Sequence, residues 1–384
     1  MSACRIGFVI EQTMGHITYN RSLASWSEND ASIIPTWFPI PYWRPDVWSR
    51  IPGIRSSASM YLSFRARDDL RRARAASNQD VLFFHTQGTA MCSVGIARRV
   101  PVVISTDGTP INMDTMAEAY NHRPDEDGPV SRLKRSIYRW VYRNATALTT
   151  WNQWARDSLV HDYLVPPEKI EVIPPGVDLD LWRTDRSGAR PDRAPRLLFV
   201  GGDFARKGGD VLLDALRAGL SERCEVDIVT GTEGIESTDR VRVHRGLTPT
   251  DPALRRLYNE ADVFVLPTRA DFSPMAVVEA MAAGLPVVTT DVGAISEQVV
   301  DGETGLLTRP GDAADLGRAL AGLLDDPERL KAYGAAGRER AERRFDGHRN
   351  YTTLIDLLKR AAASRASTAR GNPRVPVESP TAGG

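Results

Sequence analysis

Short runs of consecutive apolar residues recur along the chain and are separated by turns and by stretches of helical periodicity. Uninterrupted apolar runs are typical of strands in a parallel sheet that is covered on both faces. The pattern therefore predicts repeated strand–helix units and an α/β fold. The predicted strands are Ile6–Ile10, Asp80–Thr86, Val100–Thr106, Ala147–Thr150, Lys169–Ile173, Leu197–Val200, Glu225–Thr230, Val241–Val243, Val263–Leu266 and Val287–Thr290.

The strand–helix pattern restarts after the turn Pro174–Asp178, and the 384 residues exceed what one ordinary core encloses. We therefore expect two parallel-sheet domains, over residues 1–176 and 177–345. A last helix is predicted up to Ala363, and residues 364–384 have the composition of a disordered tail.

Composition narrows the classes of function. The formal net charge is zero, which gives no indication of nucleic-acid binding. Three cysteines without metal-ligand spacing fit a reducing compartment. No N-terminal signal segment and no apolar run of about 18 residues is found, so we expect a cytoplasmic protein.

The stretch from 266 to 291 contains the residues that most clearly indicate a ligand-binding site. Ser273 is a good N-cap and Pro274 suits a first helical position, so a helix is expected to begin there and to stop at Gly284. The free N–H groups of Met275 and Ala276 would then face an anionic ligand at the carboxyl end of a strand. Two carboxylates flank this helix start, Asp271 in the loop and Glu279 on the helix, with seven residues between them.

A second loop, Gly201–Gly209, precedes another predicted helix and contains Gly202, Arg206 and Lys207. Glycine backbone and two cations at a helix start suit a diphosphate. The chain has no Gly-x-Gly-x-x-Gly fingerprint, which argues against a dehydrogenase.

Asp271, Glu279, the run Ala280–Val288, Gly293 and Glu297 together resemble the retaining glycosyltransferases of family 4, which have the GT-B fold. The resemblance implies two Rossmann-like domains facing a cleft, with the acceptor bound by the first and a nucleotide-sugar by the second. It also implies that the helix over about 346–363 crosses back onto the first domain. The chain departs from the family in having Asp271 for Glu, Ser273-Pro274 for a glycine-containing turn, and Gly202 where Arg is common.

The resemblance also implies roles for particular residues. Lys207, with Arg206, would bind the donor diphosphate, Glu279 the ribose, and Asp271 and His85 the donor sugar. The predicted catalytic residues are therefore His85, Asp271 and Lys207, and the predicted donor-binding residues are Gly202, Arg206, Lys207, Gly246, Ser273, Pro274, Met275, Ala276 and Glu279.

Candidate acceptor residues follow the strands of the first half: Gly15, His16 and Asp107. For each, an ordinary structural role stays open. His16 could be a surface histidine of the loop Glu11–His16, Asp107 could cap a turn, and His85 could be a buried histidine bound to a carbonyl.

Four other segments could have either a functional or a purely structural role. The aromatic, proline-rich stretch 26–48 could bind sugar or cover the core. The basic stretch Ser63–Ala76 is expected to be a solvated helix face. The amphipathic stretch Ser131–Arg143 could contact an anionic membrane, although we expect its apolar face to pack inward. Asp178 and Asp180 imitate an Asp-x-Asp metal motif, but they follow an interdomain turn, and no metal is expected.

The predicted activity is transfer of a hexosyl group from a nucleotide-sugar to an acceptor hydroxyl, with retention of configuration and without a metal or cofactor. A glycan, a lipid or a natural product could be the acceptor. Alternatives are a glycosidase pair formed by Asp271 and Glu279, a phosphorylase or nucleotide-sugar epimerase of the same fold, and a non-catalytic binding subunit. The sequence does not indicate the base, the sugar, the acceptor or the oligomeric state.

Overall fold

The computed structural model describes residues 3–54, 57–124, 128–184 and 193–370. Its strands are β1 (Cys4–Gln12), β2 (Ile33–Pro41), β3 (Val81–His85), β4 (Val102–Thr106), β5 (Ala147–Thr150), β6 (Ile170–Val172), β7 (Arg196–Val200), β8 (Glu225–Val229), β9 (Val241–His244), β10 (Val263–Leu266), β11 (Val287–Thr290) and β12 (Gly305–Thr308).

The helices that connect these strands lie on both faces of the sheets. They are α1 (Met14–Ser27), α2 (Ala58–Arg72), α3 (Ala75–Asn78), α4 (Gln87–Ala90), α5 (Pro110–Asp114), α6 (Pro129–Asn144), α7 (Gln153–His161), α8 (Gly209–Ala215), α9 (Pro252–Glu260), α10 (Met275–Ala282), α11 (Ile295–Gln298), α12 (Ala313–Leu324), α13 (Pro327–Arg344) and α14 (Gly347–Arg370). Short 3₁₀ turns cover Trp48–Arg50, Val94–Arg98 and Pro167–Lys169, and a π-helical turn covers Leu216–Leu220.

In the described part of the chain the strands form two six-stranded sheets. The first has the order β2-β1-β3-β4-β5-β6 and the second β12-β11-β10-β7-β8-β9. Neighbouring strands in both sheets pair in parallel. Every residue of β3 and of β10 is buried, as expected for strands covered on both faces. The predicted α/β architecture with two parallel sheets is confirmed.

The last helix, α14, packs on the first sheet although the second sheet precedes it in sequence. Leu354, Ile355 and Leu358 are at most 2% exposed and share a core with Ile6 and Phe8 of β1. Burial of each such side chain contributes about 1.5–3 kcal/mol. The crossing helix is thus an integral part of the first domain's core.

The two passages of the chain between the sheets lie side by side. The Val177 N–H donates to the Phe345 carbonyl at 3.0 Å, and the Gly347 N–H donates to the Val177 carbonyl at 2.9 Å. These passages adjoin the predicted boundaries at residues 176 and 345.

Local predictions failed at several places. Residues Ile33–Pro41 of the proline-rich stretch form β2 and Gly305–Thr308 forms β12, although no strand was predicted at either place. The stretch expected as a loop at 11–16 is shorter, because β1 runs to Gln12 and α1 begins at Met14. Helix α14 continues to Arg370, beyond its predicted end at Ala363. The rest of the predicted tail, 371–384, lies outside the described residues. So do residues 185–192, within the stretch 184–194 whose Arg, Asp, Gly and Pro content is typical of a linker.

Among the helices of the described ranges, none combines the length and the apolar character that crossing a bilayer requires.

Candidate active site

The phosphate-type loop lies at the carboxyl edge of the second sheet, between β7 and α8. Its Gly201 N–H donates to the Val229 carbonyl, and its last residue before α8, Gly208, has φ +76°. A Cβ at Gly208 would lie 1.9 Å from the Pro267 carbonyl oxygen, so only glycine fits this turn. The loop is thereby held against the end of β10. Gly202 is exposed with open space where a Cβ would be, and its carbonyl accepts from the Thr232 hydroxyl at 3.2 Å.

Lys207 and Asp271 form an ion pair at this edge, ammonium against carboxylate. Lys207 belongs to the loop after β7 and Asp271 to the loop after β10, so neighbouring strands bring them together. Both side chains are largely buried, with 16% and 12% of their surface exposed. The cation predicted to bind a diphosphate therefore contacts the loop that leads into α10, at a residue four positions before that helix begins, and its charge is compensated by Asp271.

Arg206 points toward the first domain. Its guanidinium donates to the Ala270 carbonyl at 2.8 Å, pairs with Asp203 at 3.3 Å, and lies over the Tyr120 ring at 4.8 Å from the centroid. Arg206 thus has several partners at the domain interface. A diphosphate that bound this guanidinium would do so alongside those partners.

The start of α10 differs from its prediction. The helix begins at Met275 with Pro274 as N-cap, and no side chain caps it. Ser273 is therefore not the cap; its hydroxyl accepts from the Gln298 amide at 3.3 Å instead. The reason is that proline fits the extended N-cap conformation, which moves the first helical residue one place later. The Met275 and Ala276 N–H groups lie in the first turn, where helix geometry offers them no intrahelical acceptor.

Glu279 lies in the body of α10 and is 4% exposed. Its carboxylate accepts a hydrogen bond from the Tyr258 hydroxyl at 3.0 Å. Burial raises the pKa of Glu279 to about 7, against the opposing effect of the Tyr258 hydrogen bond. A ribose hydroxyl donating to this carboxylate would favour its ionised form.

Gly246 follows β9 in an exposed turn with φ +75° and nothing near the position of a Cβ. Its backbone is open for approach by a flat ligand, which is compatible with its predicted donor-binding role.

The carboxyl edge of the first sheet carries a histidine–carboxylate pair. His16 Nε2 lies 3.2 Å from an Asp107 carboxylate oxygen, and His16 Nδ1 lies 3.0 Å from the Thr13 hydroxyl. Burial acts to lower the pKa of His16, but the charge and hydrogen bond of Asp107 and the charge of Glu11 outweigh it and raise this pKa above its usual value. His16 lies on the first turn of α1 rather than in a loop, while Gly15 beside it is exposed.

His85 ends β3 and is fully buried beside this pair. Its ring stacks on Trp151 at 5.2 Å and meets the His16 ring edge-on at 4.6 Å between centroids. Burial and then the neighbouring His16 hold the pKa of His85 well below its usual range, so its imidazole is neutral. The structure thus brings His85 to the predicted edge, behind His16 rather than on the open surface of the cleft.

The two edges face each other. A Cβ at Gly108, next to Asp107, would lie 2.9 Å from the ring of Phe272, next to Asp271. Tyr120 of the first domain stacks on Phe272 at 5.8 Å, and Trp154 approaches the same ring at 5.8 Å. Asp107 and Asp271 therefore belong to segments in direct contact across the cleft.

Glu297 makes a second link between the domains. Its carboxylate accepts from the backbone N–H groups of Gln153 and Trp154, both at 2.8 Å, at the start of α7. The Arg340 side chain of α13 donates to the Glu297 carbonyl at 2.7 Å. In the sequence, Glu297 was recognisable only as part of the family pattern, without a role. Four aromatic residues of the site were not predicted: Tyr120, Trp151, Tyr258 and Phe272.

Other candidates have structural roles. Asp178 accepts from the N–H groups of Asp180 and Leu181, both at 3.0 Å, which fits a turn cap rather than a metal ligand. In the aromatic stretch, Trp37 stacks on Phe8 at 4.5 Å, whereas Tyr42 and Trp43 are about half exposed.

The two basic helical stretches differ. In α2 the ion pair Arg72–Asp68 joins residues one turn apart, and Arg72 is 65% exposed, as expected for a solvated face. Arg65 departs from that expectation, because its side chain is 14% exposed and pairs with Asp69 and with Asp46. In α6 the expectation of an inward-packed apolar face is wrong for Leu133, Ile137 and Trp140, which are exposed.

Two family models match the chain. Glycosyltransferase Family 4 matches residues 34–181 and Glycosyl transferases group 1 matches residues 194–326. Together they cover most of both sheets.

Curated relatives have related names. A glycogen synthase of Mycobacterium tuberculosis is 27% identical over 311 residues, covering 78% of this chain and 72% of that protein. A D-inositol 3-phosphate glycosyltransferase of Corynebacterium efficiens is 32% identical over 277 residues, covering 65% of each chain.

Solved structures share the fold at low sequence identity. Sucrose-phosphate synthase from Thermosynechococcus elongatus superposes with a TM-score of 0.74 at 18% identity, covering 94% of this chain and 100% of that one. Anabaena HepE, solved in complex with UDP-glucose, gives a TM-score of 0.68 at 17% identity, covering 92% and 99%. These matches, taken with two parallel sheets whose carboxyl edges face each other, exclude the glycosidase alternative. The chain belongs to the GT-B glycosyltransferases of family 4, glycosyl transferases group 1, and is a hexosyltransferase that uses a nucleotide-sugar donor.

Proposed function

We propose that this glycosyltransferase moves its sugar to an acceptor hydroxyl with retention of anomeric configuration, and that it does so without a metal ion. The observation that carries the proposal is the contact of Lys207 with Asp271, on segments that meet the Asp107 segment across the cleft. A cation for the departing diphosphate and carboxylates for sugar hydroxyls thus lie where donor and acceptor would meet.

The donor would lie along the second sheet. Its base would approach the turn at Gly246, its ribose would donate to Glu279, and its diphosphate would be bound by Lys207, Arg206 and the first N–H groups of α10. Two cations and a helix start compensate diphosphate charge by the same electrostatic effect that a metal would supply. This arrangement supports the metal-free part of the proposal.

In the reaction, the bond between the anomeric carbon and the diphosphate oxygen breaks, and the nucleoside diphosphate leaves with the electron pair. The acceptor oxygen bonds to the same carbon on the same face, and its proton passes to the departing phosphate. Lys207 stabilises the charge that develops on the leaving oxygen. Asp271, released from its ion pair when Lys207 turns to the diphosphate, would accept hydrogen bonds from the donor sugar.

His16 and Asp107 would bind the acceptor. The charge and hydrogen bond of Asp107 raise the pKa of His16 and so favour its protonated form. An acceptor hydroxyl that replaced one of the present ring partners, Thr13 or Asp107, would be held by this imidazole and directed toward the anomeric carbon. His85, neutral and stacked on Trp151, would support the ring of His16 from behind and approach the donor sugar only if the rings rearrange.

The decisive experiment measures release of nucleoside diphosphate from UDP-, GDP-, ADP- and dTDP-sugars. UDP-glucose is the first candidate, because the structural neighbour HepE was solved with it. Acceptors should include an inositol phosphate and an α-glucan, which the names of the relatives suggest. Proton NMR of the product gives the anomeric configuration, and the assay is repeated with EDTA.

Retention together with full activity in EDTA is the expected result. An inverted product would overturn the retaining assignment, and loss of activity in EDTA that Mg²⁺ restores would overturn the metal-free one. Failure to bind or turn over any donor would favour a non-catalytic binding subunit.

A further inference from the structure

Helix α6 exposes an apolar stripe that no other part of the described chain covers. Val130, Leu133, Ile137 and Trp140 are 68%, 62%, 39% and 49% exposed. Their spacing of three and four residues places them on one side of the helix, along about 15 Å of its axis. The core-facing side is a different one, since Val141 and Tyr142 are fully buried in the first domain.

Positive charge accompanies this stripe. Between residues 129 and 144 the helix has five cations and no acidic residue; the cations are Arg132, Lys134, Arg135, Arg139 and Arg143. At about 100° per residue, the exposed Lys134 lies on one flank of the stripe and the exposed Arg132 and Arg143 lie on the other, each about a quarter to a third of a turn from its middle. Arg139 is half-buried instead and donates to the Asp162 carbonyl at 3.5 Å. The exposed Arg98 and Arg99 lie at the end of the 3₁₀ turn that α6 packs against.

We propose that α6 lies flat on an anionic phospholipid surface, with its apolar stripe in the interface and its arginines at the lipid phosphates. Apolar residues on one side of a basic helix are the arrangement by which helices bind at the headgroup level. Trp140 is well suited to that depth, because an indole has an apolar ring and one polar group.

A second copy of the chain fits this surface less well. Two α6 helices joined through their stripes would bring their arginines together without intervening acids. Four side chains on one helix also provide much less than the roughly 800 Å² per partner of a stable protein interface. The positive charge of α6 therefore favours an anionic partner. The narrowness of the apolar stripe favours a lipid surface, which can deform around it.

The test is co-sedimentation of the full-length protein with vesicles of phosphatidylglycerol and phosphatidylcholine, compared with phosphatidylcholine alone. We expect binding to the anionic vesicles that weakens with salt. The double variant Leu133→Glu/Trp140→Glu should bind about tenfold or more weakly, because both apolar contacts are lost. The matched control is Leu181→Glu, which changes a 46%-exposed leucine at the start of the second domain and should bind as the wild type does.

A charge variant separates the two contributions. Arg132→Gln/Arg135→Gln should weaken binding to anionic vesicles by about fivefold for each arginine removed. Thermal melting and nucleotide release from a soluble donor should match the wild type for all variants, since these residues are exposed and outside the candidate site.

Three results would overturn the proposal. They are no sedimentation of the wild type with anionic vesicles, equal sedimentation of the wild type and the Leu133→Glu/Trp140→Glu variant, and a lower molecular mass of that variant in solution. The last result would identify the stripe as an interface between protein copies.

Discussion

The carboxyl edges of the two sheets occupy equivalent places in their domains, yet they hold ionisable side chains in different ways. At the first edge His16 and His85 are fixed by ring contacts with each other and with Trp151, and Asp107 orients His16. At the second edge charges neutralise one another, as in the pair Lys207–Asp271.

Under the proposed function, this difference would let one topology serve two ligands. Ring packing fixes the direction of the His16 ring, which would suit an acceptor hydroxyl that must be aimed at one carbon. Paired charges can exchange partners, which suits a diphosphate that arrives with its own negative charge. Substitutions at each edge should therefore separate effects on the acceptor from effects on the donor.

The largest effect is expected at Lys207. Lys207→Ala removes the cation nearest the leaving diphosphate and should lower turnover by about 10²–10³-fold. The control Arg217→Ala removes an exposed cation paired only locally with Asp214 and should leave turnover unchanged. Nucleotide release under saturating donor is the measurement, and near-normal turnover in Lys207→Ala would contradict the proposed site.

Asp271→Asn should separate donor binding from chemistry. It frees Lys207 from its ion pair, so affinity for the nucleoside diphosphate should stay equal or increase. Turnover should nevertheless fall about 10²-fold, because the carboxylate beside the donor sugar is lost. Calorimetry gives the affinity and nucleotide release the rate. A parallel loss of both would mean that Asp271 acts only by shaping the loop.

At the first edge, Asp107→Asn should affect the acceptor alone. It removes a charge-assisted hydrogen bond to His16, so acceptor kcat/KM should fall about 10- to 100-fold while donor affinity is unchanged. The pKa of His16, followed by NMR with His16→Gln for assignment, should also fall, since Asp107 raises it in the wild type. Weakened donor binding would show that the two edges are not separable.

The smallest effect concerns pH. Because burial raises the pKa of Glu279 to about 7, much of this carboxyl is protonated near neutrality. A ribose that donates to the ionised form makes affinity rise with pH through this pKa, so binding should be about tenfold tighter at pH 8 than at pH 6.

The ligand in the pH experiment should be the nucleotide-sugar, because the terminal phosphate of a free diphosphate titrates in the same range. Glu279→Gln should bind more weakly, with the pH dependence removed. If the full pH dependence persists in Glu279→Gln, the dependence arises from another group, and His16 is the first to test.

Much of this architecture could be predicted from local sequence. Val263–Leu266 was predicted to the residue, since an uninterrupted apolar run has one stable environment, the middle of a parallel sheet. Strand β2 was missed because it contains Pro35, Pro39 and Pro41, which argue against a strand. It is an edge strand, where prolines need not interrupt a hydrogen-bonded ladder on both sides.

The residues of the candidate site were predicted from local motifs. Lys207 and Asp271 were found because each follows a predicted strand and lies in a motif that resembles the family's. The stack of Tyr120 on Phe272 joins residues of different domains and depends on the angle between them, which no local pattern contains. For α6, periodicity revealed an apolar side, but whether that side meets protein or solvent depends on what surrounds it.

The hydrogen bonds of Glu297 hold the two sides of the cleft in one relative position. The backbone carbonyl of Glu297 accepts from Arg340 of α13, and its carboxylate accepts from two backbone amides of α7. When the domains separate, water can replace both bonds, each of which contributes about 1.5–3 kcal/mol as a hydrogen bond to a charged group. The two bonds therefore favour the arrangement in which the carboxyl edges of the sheets face each other.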